Sequence, residues 1–410
     1  MVPSHIHDRQ PPAQTGVAIV ILAALTGLTP LATDMYIPAF PAMASELSAT
    51  GSAIQSSIAA YMLGLVLGQL LLGPISDRTG RRTLLIAGAW LFALFSAICA
   101  LAPDAGVLVA VRWLQGVAAA VGMVLARAVI GDWYHGPDAA KRFSALTMIV
   151  AVAPILAPVL GGLLLRIGSW RLIFAALAVL GVLLALATQA RVPESLPPER
   201  RHGGSLAGVF RTMAALLKQR AFVGYALVFA CSTVALFAYL AAASFVFQGL
   251  FGLSEWTTSL LFGLNALGML AGGVLFGALS RKTHLHSFLI VGVVLGVMAA
   301  AVQWLLAGVL GATLVALFFA MLALGLLYPA SMAAGQAAAP HAPGGASALL
   351  GAGQCLFGAI AAPLVGLFGT SSARPMAALM IAGFALAGLA LLLLVRPWHA
   401  QDSASITPGG

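Results

Sequence analysis

The stretch that decides the fold of this 410-residue chain is Gly73-Pro74-Ile75-Ser76-Asp77-Arg78-Thr79-Gly80-Arg81-Arg82. It is short, basic and rich in turn-forming residues, and it lies between two long apolar runs at 53–75 and 83–102. A run of about 20 apolar residues is long enough to cross a bilayer as an α-helix. The stretch therefore predicts a tight basic loop between two membrane-spanning helices.

The composition extends this interpretation to the whole chain. Apolar residues make up 61% of it and charged residues 8%, whereas a soluble domain carries roughly 25% charged residues. A soluble enzyme, a secreted disulfide scaffold and a disordered protein are therefore excluded. Since the apolar runs do not alternate with polar residues, they are helices rather than barrel strands. We expect an all-α polytopic protein whose twelve spans lie near 17–43, 53–75, 83–102, 106–130, 143–166, 170–190, 222–247, 257–279, 286–308, 311–335, 344–370 and 374–396.

The basic residues predict the orientation in the membrane. With the N-terminus placed in the cytoplasm, fifteen of the 20 Lys and Arg residues fall on the cytoplasmic side and three on the outer side. Cytoplasmic loops of membrane proteins carry this excess of positive charge. We therefore expect both termini on the cytoplasmic side of the membrane. The net charge of +9 is explained by this topology and not by nucleic-acid binding.

The chain divides into two similar halves. The long hydrophilic stretch 191–220 separates six runs from six, and Gly277-Ala278-Leu279-Ser280-Arg281-Lys282-Thr283-His284 repeats the first basic loop 204 residues later. Parallel repeats of this kind are typical of transporters with a central site. We expect an N-terminal tail at 1–16, six-helix bundles at 17–190 and 221–396, a central loop at 191–220 with a short interfacial helix in 205–220, and a C-terminal tail at 397–410.

Asp34 stands out because it is the acidic residue that lies well inside an apolar run. Such carboxylates are costly in a membrane and mark functional sites by default, although a permanent ion pair is the structural alternative. Arg112 lies in the fourth run, and its depth nearly matches that of Asp34 in a core about 30 Å thick. We therefore predict that Asp34 and Arg112 pair, with Gln115 one turn from Arg112, and that both couple transport to protons.

Aromatic residues concentrate in the seventh run, where they either pack and form interfacial belts or line an adaptable apolar pocket. For the pocket, the predicted substrate-binding residues are Asp34, Met35, Tyr36, Tyr61, Gln115, Phe237 and Tyr239. The eight histidines lie in tails or loops, and the three cysteines are isolated. We expect no metal site, no cofactor and no ATP hydrolysis, so that energy must come from a gradient.

Several motifs resemble those of the major facilitator superfamily. Gly73–Arg82 looks like its inner-loop signature, Arg112-Trp113-Leu114-Gln115-Gly116 resembles its RxxQG motif, and Thr33-Asp34-Met35-Tyr36-Ile37-Pro38 is similar to the first-helix signature of the drug/proton antiporter branch. The segment Ala153-Pro154 to Gly161-Gly162 resembles the antiporter motif, with Ala157 where that motif has glycine. Phe245-Val246-Phe247-Gln248, Asn265-Ala266 and Ser347-Ala348-Leu349-Leu350-Gly351 are similar to the Bcr/CflA subfamily of bicyclomycin- and chloramphenicol-type exporters.

The resemblance implies a location in the bacterial inner membrane, two pseudo-symmetric bundles and a set of conformational-switch residues. Asp77 would accept hydrogen bonds from a neighbouring helix N-terminus and latch the halves, while Arg81 and Arg82 would face anionic lipid. The whole predicted switch set is Gly73, Asp77, Arg78, Gly80, Arg81, Pro154, Pro158, Gly161 and Gly162.

The predicted function is proton-coupled efflux of hydrophobic drugs or antibiotics by alternating access. A proton-coupled carrier of a small metabolite, such as a nucleoside or amino acid, is the alternative within the same fold. A membrane-embedded enzyme would need a second acid, a histidine or a nucleophile–base pair beside Asp34, and none is present. The expected partners are a small hydrophobic substrate, protons and the lipid bilayer, with no nucleic acid, and the chain is expected to be monomeric.

Overall fold

The structure, a computed structural model, describes residues 15–134, 136–201, 206–367, 369 and 372–396. The first half contains α1 (Thr15–Asp34), a 3₁₀ turn (Ile37–Ala39), α2 (Phe40–Glu46), α3 (Gly51–Thr79), α4 (Arg81–Ala100), α5 (Ala105–Trp133), α6 (Gly136–Ile167) and α7 (Trp170–Arg191). The connecting segment contains a 3₁₀ turn (Pro198–Arg200) and α8 (Leu206–Leu216). The second half contains α9 (Arg220–Phe245), α10 (Glu255–Leu279), α11 (Leu285–Leu305), α12 (Leu310–Ala337), α13 (Pro343–Leu367) and α14 (Arg374–Ala390).

The described helices confirm the predicted all-α membrane fold. Eleven of them are long and apolar enough to cross a bilayer, where α1 and α2 count as one span, and the apolar part of α6 at Val152–Ile167 adds a shorter span. α9 and α14 each end in one π-helical turn, Val246–Leu250 and Leu391–Val395. The predicted tails 1–16 and 397–410 lie almost wholly outside the described residues.

Helices pack mainly within their own half. In the first half α3 packs on α5 and α4 on α7, and in the second half α10 packs on α12 and α9 on α13 and α14. The halves meet chiefly where α3 contacts α13 and where α6 contacts α10. Many large apolar side chains on the outer surface are exposed, as in Leu94, Val179 and Leu305, because lipid rather than water covers such a surface in a membrane.

Close helix contacts repeat between the halves with the offset predicted from the basic loops. A Cβ atom at Gly64 of α3 would lie 2.1 Å from the Trp113 carbonyl oxygen of α5. Gly268 of α10, 204 residues later, meets α12 in the same way, at 2.6 Å from the Phe318 carbonyl oxygen. Small residues let membrane helices approach backbone to backbone, so these glycines fix corresponding contacts in the two repeats.

The helix ends define two ends of the molecule. The end where α3 gives way to α4, at Gly80, is called the basic end below, and the end where α2 leads into α3 is called the opposite end. α1, α9 and α13 begin at the basic end, and α4, α6 and α13 finish at the opposite end.

Candidate functional site

A cavity of about 260 Å³ lies between the two halves. Its wall from the first half is formed by Thr26, Thr29, Pro30, Thr33, Asp34, Met62, Leu65, Met123, Pro154 and Pro158. Its wall from the second half is formed by Leu236, Phe237, Tyr239, Leu240, Phe262, Ala266, Met269, Met321, Tyr328, Gln354 and Cys355. The lining is therefore mostly apolar, with a few polar groups on each side.

Asp34 ends α1 and places a carboxyl group at this cavity. Its side chain is 7% exposed, and Thr26, Thr29 and Thr33 of the same helix line the cavity beside it. Among the described residues, no ion pair involves Asp34. A carboxyl group that is removed from water and has no fixed cation can bind a proton or a ligand in its place.

The predicted Asp34–Arg112 pair is wrong for this conformation. Arg112 is fully buried in the first half, where its guanidinium donates to Gln115 Oε1 at 2.5 Å and to the Tyr36 hydroxyl at 3.3 Å. It also lies 4.1 Å from the centre of the Tyr61 ring and 4.6 Å from that of Tyr36. Polar and aromatic groups thus take the place that the prediction gave to the carboxylate.

Replacing Arg112 by lysine is expected to destabilise the protein by about 3 kcal/mol, because lysine cannot stack on both rings while bonding to Gln115 and Tyr36. Thermal unfolding of the purified protein in detergent measures this loss. Arg281→Lys, at an exposed position of the basic end, is the control and should melt like wild type. Equal melting of the Arg112→Lys and wild-type proteins would contradict a structural role for the guanidinium.

The predicted substrate-binding residues separate into two groups. Asp34, Phe237 and Tyr239 line the cavity. Met35, Tyr36, Tyr61 and Gln115 do not, which corrects that part of the prediction for this conformation: they are buried inside the first half, and Tyr36, Tyr61 and Gln115 contact Arg112 there.

Sequence reasoning missed most of the cavity lining. Four methionines belong to it, from four different helices: Met62, Met123, Met269 and Met321. The cavity also takes Tyr328 and Gln354 from the second half. Flexible thioether side chains adapt to ligands of different shape. The residues lie on separate helices without a common motif, so no local sequence signal identified them.

The switch residues at the basic end pair differently from the prediction. Asp77 forms an ion pair with Arg81 at 2.6 Å, and in the part of the chain that the structure describes no helix N-terminus bonds to its carboxylate. Arg81 is 8% exposed and also pairs with Asp132 at 3.2 Å. Arg82 donates to the Val192 carbonyl oxygen at 2.9 Å. The expectation that Arg81 and Arg82 face lipid is therefore wrong.

Glu194, from the segment after α7, completes this cluster. Its carboxylate accepts the backbone N–H of Arg81 at 2.9 Å and of Arg82 at 3.3 Å. These are the first residues of α4, whose N-cap, Gly80, has no side chain and adopts φ 97°. An acidic group at a helix N-terminus satisfies free N–H groups there.

Of the other predicted switch residues, Arg78 lies in the last turn of α3. A Cβ atom at Gly73 would meet open space.

The antiporter-like segment of α6 lies between α1 and the second half. Pro154 and Pro158 line the cavity. A Cβ at Gly161 would lie 1.8 Å from the Met35 carbonyl oxygen, next to Asp34, and one at Gly162 would lie 2.4 Å from Ser259 Oγ of α10. These two glycines therefore permit the close contacts of α6 with both neighbours.

Hydrogen bonds join the two halves at the opposite end. Ser244 Oγ donates to the Ile37 carbonyl oxygen and Gln248 Nε2 to the Pro38 carbonyl oxygen, both at 2.7 Å. Gln55 Nε2 donates to the Ala241 carbonyl oxygen at 2.9 Å. Nearer the basic end, Gln69 Nε2 lies 3.4 Å from Cys355 Sγ. Direct hydrogen bonds thus hold the two halves together at the opposite end.

Comparisons with known proteins agree with this architecture. The chain is 39% identical over 398 residues to the "Uncharacterized MFS-type transporter YdgK" of Bacillus subtilis (strain 168), covering 95% of this chain and 99% of the relative. It is 27% identical over 371 residues to the "Bicyclomycin resistance protein homolog" of Haemophilus influenzae, covering 88% and 92%. A solved bacterial homologue of the human lysosomal transporter Spinster, inward-facing and unoccupied, has a TM-score of 0.76 at 15% identity and covers 97% of this chain and 99% of that chain.

Comparison of the sequence with known protein families identifies the superfamily to which the chain belongs. Residues 22–363 match the Major Facilitator Superfamily, which confirms the resemblance drawn from the basic loop and the motifs around Asp34 and Arg112. The relative named for bicyclomycin resistance is consistent with the drug/proton antiporter branch. The chain is a multi-pass bacterial membrane protein and belongs to the Major Facilitator Superfamily.

Proposed function

We propose that the protein exports hydrophobic drugs or antibiotics in exchange for protons. The observation that carries this proposal is a buried carboxyl group, Asp34, in a largely apolar cavity between two repeats and without an ion-pair partner among the described residues. The relative named for bicyclomycin resistance supports the same substrate class.

Exchange requires that protons and substrate compete for the same state of the carrier. Burial of a carboxyl group favours its neutral form, and water or a cation beside it favours the ionised form. Asp34 borders the cavity, so an arriving substrate changes its surroundings directly. If a proton weakens substrate binding, then substrate binding must release protons to the same extent.

Alternating access requires that the cavity close at one end before it opens at the other. The hydrogen bonds of Ser244, Gln248 and Gln55 are suited to hold the opposite end shut in the present conformation. Breaking them while new contacts form at the basic end would expose the cavity on the other side. We propose that the basic end lies in the cytoplasm, in line with the excess of Lys and Arg there.

The central experiment combines a susceptibility panel with a proton-release measurement. Cells that express the protein should tolerate higher concentrations of chloramphenicol or of lipophilic dyes than cells with an empty vector. Adding a tolerated drug to purified protein in weak buffer should acidify the solution. Tolerance without proton release would contradict proton coupling. Saturable binding of nucleosides or amino acids without any drug tolerance would favour the metabolite carrier instead.

A further inference from the structure

Tyr239 of α9 holds a hydroxyl group on the cavity wall that faces the first half. The side chain is 2% exposed, and its ring packs against Phe262, with the ring centres 5.2 Å apart. The hydroxyl oxygen accepts a hydrogen bond from Asn265 Nδ2 of α10 at 3.1 Å. An amide nitrogen can only donate, so this bond leaves the proton of the Tyr239 hydroxyl for another partner.

The second tyrosine of this wall has the reverse arrangement. The Tyr328 hydroxyl donates to Thr233 Oγ1 at 3.1 Å, and Thr233 donates in turn to the Phe229 carbonyl oxygen at 3.0 Å. The proton of Tyr328 is therefore used inside the protein. Of the two tyrosines that line the cavity, Tyr239 is the one whose proton is left for a bound molecule.

Asn265 is placed where an amide serves little purpose except to orient Tyr239. It is completely buried, and its Oδ1 atom has no hydrogen-bond partner among the residues that the structure describes. A buried polar atom without a partner lowers the stability of the folded protein. The amide of Asn265 thus lowers stability through its unpartnered Oδ1 atom, while its Nδ2 atom fixes the position of the Tyr239 hydroxyl.

The repeat relates Tyr239 to Asp34. The 204-residue offset between the halves carries Asp34 to Ala238, the neighbour of Tyr239. The two halves thus supply a carboxyl group and a hydroxyl donor from nearly corresponding positions of α1 and α9, and both groups line the same cavity. A molecule in the cavity therefore meets a carboxyl group on the wall from the first half and a hydroxyl donor on the wall from the second half.

We propose that Tyr239 donates a hydrogen bond to an acceptor oxygen of the exported molecule, and that Asn265 is the positioning residue that keeps this hydroxyl proton free. The inference rests on the proposed function and narrows its substrate class to apolar molecules that carry a carbonyl, amide or nitro oxygen. Asp34 lies on the other wall, where its carboxyl group binds a proton or interacts with a positive charge on the substrate.

The test compares two probes on purified protein in nanodiscs. Chloramphenicol is uncharged and has several acceptor oxygens, whereas tetraphenylphosphonium is a lipophilic cation without hydrogen-bonding groups. Tyr239→Phe should weaken chloramphenicol binding about tenfold relative to phosphonium binding, the loss of one hydrogen bond. Asn265→Leu keeps the approximate volume of the side chain but removes the amide that positions the Tyr239 hydroxyl, so it should lower the ratio of chloramphenicol affinity to phosphonium affinity.

Tyr225→Phe is the matched control, because it removes a hydroxyl group that bonds to His286 Nε2 at 2.9 Å outside the cavity. Its ratio of chloramphenicol affinity to phosphonium affinity should equal that of the wild-type protein. An equal loss of affinity for both probes in Tyr239→Phe would indicate a packing role and would overturn the inference. An unchanged affinity ratio in Asn265→Leu would overturn it as well. Wild-type protein that binds phosphonium but not chloramphenicol would overturn this inference alone. Wild-type protein that binds neither probe would overturn the proposed function together with it.

Discussion

Replacing Asp34 by asparagine is expected to reduce proton-driven drug export to the level of cells that carry an empty vector. Asparagine keeps the size of the side chain and its hydrogen-bonding capacity but cannot take up and release a proton. The cavity is otherwise unaltered, so the variant should still fold and insert. Drug accumulation in inverted membrane vesicles under an imposed proton gradient measures the loss, and proton release from the purified variant on drug addition should also disappear.

Two controls make this result specific to Asp34. Glu199→Gln removes an exposed carboxyl group from the connecting segment and should export drug like wild type. Downhill exchange of drug without a proton gradient tests whether the Asp34→Asn cavity still operates. Full proton-driven accumulation by Asp34→Asn would mean that the carboxyl group is structural and that coupling resides elsewhere.

The second large effect is expected from Gly161→Ala in α6. The added methyl carbon would lie 1.8 Å from the Met35 carbonyl oxygen, and a backbone atom cannot yield as a flexible side chain does. Overpacking typically costs about 1–3 kcal/mol, and a clash with backbone should reach at least the upper part of that range. Because α1 carries Asp34 beside this contact, we expect lost transport as well as a lower melting temperature.

Gly311→Ala in α12 is the matched substitution, since a Cβ there meets nothing within 4 Å. Alanine favours helix by about 1 kcal/mol over glycine, so this variant should be as stable as wild type or more so. Monodispersity on size-exclusion chromatography and thermal unfolding distinguish the two variants. A Gly161→Ala protein that melts and transports like wild type would show that α1 and α6 are not in close contact in the membrane.

The fold could be predicted because its signals are local. A span is a continuous apolar run, and a loop is an interruption between two such runs. Asp34 was identified in the same way, since a carboxyl group within an apolar run is unusual wherever its partners lie. The repeat was visible because both halves keep one offset, which the glycines of α3 and α10 also follow.

The membership of the cavity required the packed structure. The helix α1 ends at Asp34 and the chain turns there, so Asp34 can reach the cavity while Met35 and Tyr36 lie inside the first half. Depth along the membrane normal follows from the sequence, but rotation about the helix axis depends on all neighbouring helices. The predicted pairing of Asp34 with Arg112 used depth alone and therefore failed.

The sequence by itself thus determined the number and order of the spans, their division into two repeats, and the presence of a carboxyl group, Asp34, within an apolar run. Only the tertiary structure decided which polar groups meet. Glu194 reaches the start of α4 from 113 residues away, Gln115 and Tyr36 surround Arg112, and Asn265 holds Tyr239. The physical reason is that a buried polar group is bound by whichever donor or acceptor packing brings within about 3 Å, and that distance is a property of the assembled helices rather than of any one of them.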